Sequence, residues 1–114
     1  MSADKSKNAV AKEDQRLIRL IGKDVLHYPE VVRLAGSITD TFTNLLGREK
    51  ENPGIHLNRQ DDKLTADIHI VVAYGVNIPQ ISYDIQNSVK EIIENNTECT
   101  VGAINIGIEG VEKK

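Results

Sequence analysis

Six aliphatic side chains, Ile78, Ile81, Ile85, Val89, Ile92 and Ile93, recur at the spacing of one helical face, and an alternating apolar stretch flanks them on each side. That arrangement leaves few folds open. Asn77 supplies an N-cap, Pro79 suits a first turn, and Asn95 and Asn96 end the pattern. Gln80, Asp84, Gln86, Asn87, Lys90, Glu91 and Glu94 form the wet face, so Gln86→Ala is expected to cost no more than about 0.5 kcal/mol. The flanking stretches, Leu64–Ala73 and Val101–Glu109, read as strands. A strand, a helix and a strand in that order make a right-handed crossover with the strands parallel.

A second strand pair precedes the crossover. Ile55–Arg59 and Leu64–Ala73 flank Gln60-Asp61-Asp62-Lys63, whose aspartates supply turn chemistry. Pairing Leu57 with Ala66 places Ile55, Leu57, Leu64, Ala66, Ile68, Ile70 and Val72 on one face. His56, Asn58, Thr65, Asp67, His69, Val71 and Ala73 fall on the other, and a slip of one residue would scramble both faces. Ile104, Ile106 and Ile108 of the last strand point inward, with Asn105, Gly107 and Glu109 outward.

Upstream, Val31, Ala35, Ile38, Phe42 and Leu45 follow Pro29 at helical spacing, widened by Val32 and Leu46, and Gly47 is a natural stop. This predicts a first helix from Pro29 to Gly47, with Gly36 inside it at close packing, then a loop over Glu49–Gly54. Gly22–Tyr28 reads as a connector. Leu17, Ile18 and Ile21 give a short apolar stripe on an arm with no assigned docking place, and Met1–Ala11 is small and polar. The expected class is α+β, a two-layer sandwich in the order α-β-β-α-β. A three-stranded mixed sheet carries two helices on one face. The expected divisions are an N-terminal arm (1–21), one domain (22–111) and a tail (112–114).

The chain has 114 residues, one domain's worth, and 4% aromatics, so Ile, Val and Leu must build its core. A net charge of −3 argues against a broad phosphate-binding surface. Cys99 is the single cysteine, which excludes an internal disulfide and suits a reducing cytosol. No apolar run approaches the roughly 20 residues needed to span a bilayer, and Met1–Lys12 has no hydrophobic signal segment. Membrane association is therefore expected only peripherally or through a partner.

No constellation asks for an enzyme. His27, His56 and His69 show no ligand spacing with one another or with Cys99, although His56 sits opposite Asp67. Asp61 and Asp62 are explained by the turn. Cys99 has no basic neighbour in sequence and reads as a small apolar residue. Ser37, Ser82 and Ser88 lie on expected helices without a nucleophile motif. Gly75-Val76-Asn77 opens a helix but carries no phosphate-loop signature. No catalytic residue, cofactor or metal ligand is expected.

Several short motifs occur in an order that resembles the alkaline shock, or envelope stress response, family of Gram-positive bacteria. They are Tyr74-Gly75, Ile78-Pro79, Ile85-Gln86, Val89-Lys90, Ile104-Asn105-Ile106 and Gly110-Val111. Pro29–Gly36, PEVVRLAG, is similar to that family's first helix. The chain departs from the pattern in its short EKENPG stretch, and the arm before Gly22 has no counterpart. The resemblance implies a non-enzymatic cytoplasmic protein of envelope and alkaline stress. Such a protein would self-associate and gather at the membrane through a membrane-anchored envelope partner. Alternatives are a small-ligand carrier or enzyme subunit, and an RNA-binding α/β module. The RNA reading lacks a GxxG loop, a basic face and exposed sheet aromatics. With both helices on one face, the other sheet face is the expected protein contact, formed by Thr65, Asp67, His69, Val71, Ala73, Asn105 and Gly107.

Overall fold

In the computed structural model, residues 12–36 and 53–113 are described. They form α1 (Lys12–His27), β1 (Val31–Leu34), β2 (Ile55–Gln60), β3 (Lys63–Ala73), α2 (Ile78–Asn96) and β4 (Thr100–Glu112). The class is α+β as expected, but the order is α-β-β-β-α-β and the sheet has four strands.

β3 is the central strand. β4 runs parallel to it along its whole length, from Lys63↔Thr100 to Ala73↔Glu112. β1 and β2 are antiparallel to β3 and share its other edge, β2 against residues 63–68 and β1 against 70–72. They meet at His69, whose carbonyl accepts from the Ala35 N–H at 2.9 Å and whose N–H donates to the Gly54 carbonyl at 2.8 Å. The hairpin register is the expected one, with Leu57↔Ala66 and His56↔Asp67. Asp61 takes a φ of 60° in the turn, and Gly75 leaves β3 at φ +88°.

α2 matches its sequence pattern. The Asn77 Oδ1 accepts from the Gln80 N–H at 3.1 Å, Pro79 lies in the first turn, and Ile81, Ile85, Val89 and Ile93 are buried. Gln86 differs from expectation. It is half-buried, and its side-chain amide donates to the Ile104 carbonyl of β4 at 2.9 Å. Gln86→Ala would strip that carbonyl of its partner. We expect a loss of about 0.5–1.5 kcal/mol by urea denaturation, more than a solvated glutamine would give.

The first helix stands elsewhere than expected. Val31–Leu34 is a strand, ended by Gly36 at φ +87°, a backbone angle that helices do not use. The rest of the expected helix, Ile38 to Gly47, lies outside the described residues. Lys12–His27 is the helix instead. It runs through the expected connector Gly22–Tyr28 and buries Leu17, Ile21 and Val25. These residues are four apart, so they stack on one face. The arm's stripe thus docks on this domain.

α1 is fastened at both ends. Near its start, Asp14 Oδ1 accepts from Arg59 at 2.7 Å and 3.1 Å. Near its end, the Ser88 hydroxyl donates to Asp24 at 2.5 Å, and the Tyr28 hydroxyl donates to Ser88 at 3.1 Å. The core between helices and sheet joins these aliphatics to Val31, Leu34, Ile55, Leu64, Ala66, Ile68, Ile70 and Val72.

Candidate functional site

Because the helical core covers the inner sheet face, alternation sends the odd-numbered residues of β3 to the other side. The register brings Thr65, Asp67, His69, Val71 and Ala73 beside Ala103, Asn105, Gly107, Gly110 and Glu112 of β4. All seven residues of the expected contact lie on this face.

Two polar groups lie on this face. The Asn105 amide donates to Asp67 Oδ1 at 2.8 Å. His69 Nδ1 stands 2.8 Å from Glu109 Oε2, and its ring meets the edge of His56 at 6.1 Å between centroids. Gly107 makes that reach possible: a Cβ there would stand 2.7 Å from His69 Nδ1. The glycine seats this chain's own histidine rather than leaving room for a partner's backbone.

Val71 is not exposed. It keeps 3% of its surface, between Arg33 on β1 and Gly110 on β4. Arg33 and Glu112 sit on opposite sides of β3 and join at 2.6 Å, so their ion pair crosses the face at Val71 and Ala73. β4 also bulges here, skipping from Ile108 to Gly110. Sequence alternation could not show this, since both the bulge and the pair are long-range. Val71 therefore drops out of the accessible face, whose longest stretch runs from Thr65 to His69 on β3 with exposed Asn105 beside it, while Ala73 stays half-buried beyond the ion pair.

Elsewhere the chemistry is sparse. Among the described residues, no group of three or more His, Cys, Asp and Glu is placed to hold a metal. Ser88 is engaged with Asp24 and Tyr28, which hold no imidazole against it. Ser37 lies outside the described residues. Cys99 does have a basic neighbour: Arg59 Nη1 is 3.0 Å from its Sγ. Forty residues of separation hid that contact from the sequence. Arg59 is itself held by the Asp14 hydrogen bond, which raises its pKa further above the usual arginine value. Both residues line a cleft of about 440 Å³ between the start of α1 and the end of α2. No helix among the described residues is long and apolar enough to cross a membrane.

Residues 2–113 match a family model, that of the alkaline shock protein 23 family, described as having a cell envelope-related function. Among curated proteins, the chain is similar to the uncharacterized YqhY of Bacillus subtilis, 27% identical over 72% of this chain and 61% of that protein. It is also similar to two uncharacterized proteins of Streptococcus pyogenes. One, Spy1535, is 37% identical over 51% of this chain and 46% of that protein. The other, Spy1614, is 27% identical over 87% and 84%. The chain thus spans about half to three-fifths of the length of the first two of these relatives. No solved structure matches it.

Proposed function

Since this chain belongs to the alkaline shock protein 23 family, of cell envelope-related function, we propose that it is a non-enzymatic envelope and alkaline stress protein acting through protein contacts near the cytoplasmic membrane. The partners are a membrane-anchored envelope protein and further copies of the chain. The observation that carries this reading is the outer sheet face from Thr65 to His69. Neither helix covers it, and it presents two neighbouring polar groups, the Asp67–Asn105 pair and the His69–Glu109 pair with His56 against the His69 ring. A fixed polar array of this kind suits recognition of another protein, because its side chains are already oriented before contact.

Val71→Glu would be a poor test, because a charge at that buried position would threaten folding. Asn105→Arg is better, since Asn105 is exposed and its loss frees only one side-chain hydrogen bond. We expect the variant to melt near the wild-type temperature and to lose membrane recruitment in cells. A folded Asn105→Arg protein recruited as fully as the wild type would refute the assignment of this face.

A further inference from the structure

We infer that the two-helix layer, on the side of the molecule opposite the outer sheet face, docks against the same layer of a second copy through complementary charge. This surface is independent of the one just proposed. The exposed stripe of α1 carries Arg16, Arg19, Lys23 and His27, at helical spacings of three and four. Its two aspartates are turned aside, Asp14 to Arg59 and Asp24 to Ser88, so the stripe stays basic, with Glu13 the exception. The exposed stripe of α2 and the turn after it carries Asn87, Glu91, Glu94 and Glu98, again three and four apart, with Lys90 the exception.

The helices run antiparallel. Tyr28, just past the end of α1, bonds to the Asp84 carbonyl and to Ser88 near the middle of α2. Arg16 near the start of α1 and Leu20 at its middle line the same cleft as Asn96, which ends α2, and Glu98 just past it. The basic stripe therefore lies beside the acidic one with Arg16 level with Glu98.

A two-fold axis parallel to the helices makes this layer self-complementary. It sets α1 of one copy over α2 of the other while keeping each residue's height along the axis. Arg16 then faces Glu98 of the second copy, Lys23 faces Glu91, and the reciprocal contacts repeat them. The stripe on α1 is about 16 Å long at 1.5 Å per residue, so the interface is small and rests on exposed charge. It is weak and sensitive to salt.

The test pairs two full-length variants in sedimentation at low and high salt. Arg16→Glu with Lys23→Glu makes the layer predominantly acidic; Glu91→Lys with Glu98→Lys makes it predominantly basic. The positions are exposed, so both variants should fold, which circular dichroism checks. Milder Arg16→Gln with Lys23→Gln serves if the first pair does not. We expect a wild-type dimer at low salt that dissociates as salt rises. Each variant alone should associate at least about tenfold more weakly, and a one-to-one mixture should restore the dimer. A wild type monomeric at every salt, variants that associate like the wild type, or a mixture that fails to recover would overturn the inference. Loss confined to the acidic-layer variant, without rescue by mixing, would overturn it as well. Asn105→Arg, on the opposite face, should leave this dimer intact, so the two proposals fail separately.

Discussion

Ile85→Ala is expected to lower stability by about 2–5 kcal/mol, a fall of roughly 10–30 °C in melting temperature for a chain of this size. Ile85 has no exposed surface and sits mid-helix between the buried Ile81 and Val89. Its side chain belongs to the layer that α2 presses against the sheet, where Ile68 and Ile70 are also fully buried. Alanine removes three carbons from that layer, and the core can close only part of the void. The loss is transfer energy plus cavity energy, with helix propensity working slightly the other way. Exposed Asn87, two residues on, is the control: Asn87→Ala should stay within about 0.5 kcal/mol. Equal melting temperatures for the two variants would overturn the assignment of this helix face.

Gly54→Ala should be comparably damaging for a different reason. A Cβ at Gly54 would stand 2.5 Å from the His69 carbonyl oxygen, and 3.2 and 3.3 Å from backbone atoms of Ala35. These are main-chain atoms at the junction of three strands, so no side chain can swing away to relieve the clash. Relief requires breaking the hydrogen bond between the His69 N–H and the Gly54 carbonyl, or shifting β2 along β3. Overpacking of this kind costs about 1–3 kcal/mol or more. Gly75→Ala is the comparison. Nothing lies within 4 Å of a Cβ there, so its penalty is limited to the positive φ. Thermal melts in which Gly54→Ala matched or exceeded Gly75→Ala in stability would show that the junction is not as tight as described.

The second half of the chain was legible because its signals are local and long. α2 repeats its apolar residue over five turns with a cap at its start, and the β2–β3 hairpin couples strict alternation to a short turn. The first half was not. Val31-Val32-Arg33-Leu34 is too short to distinguish a strand from one helical turn, and Pro29 before it mimics a helix start. The decisive feature was Gly36, whose left-handed conformation ends the strand. Read as an internal helix glycine, it pointed the wrong way. In α1, Leu17, Ile21 and Val25 did hold helical spacing, but Gly22 suggested a break between the last two. For the candidate site, alternation placed all seven residues on the outer sheet face, where the register also puts them. It could not reveal that Val71 is buried or that Gly107 accommodates His69, since both depend on strands brought together over dozens of residues.

The meeting of β1 and β2 at His69 has a consequence for how chains of this kind can vary in length. Ala35 and Gly54 bond to the two main-chain groups of one residue, so the polypeptide departs from the sheet and rejoins it at a single rung. The sheet edge behaves as one strand cut at that rung. The registers of β1 and β2 are set independently of each other, that of β1 against Ile70–Val72 and that of β2 against Lys63–Ile68, so neither fixes how many residues lie between the cut ends. Length at this point is thus a degree of freedom separate from the stability of the sheet, open to change while the core stays as it is.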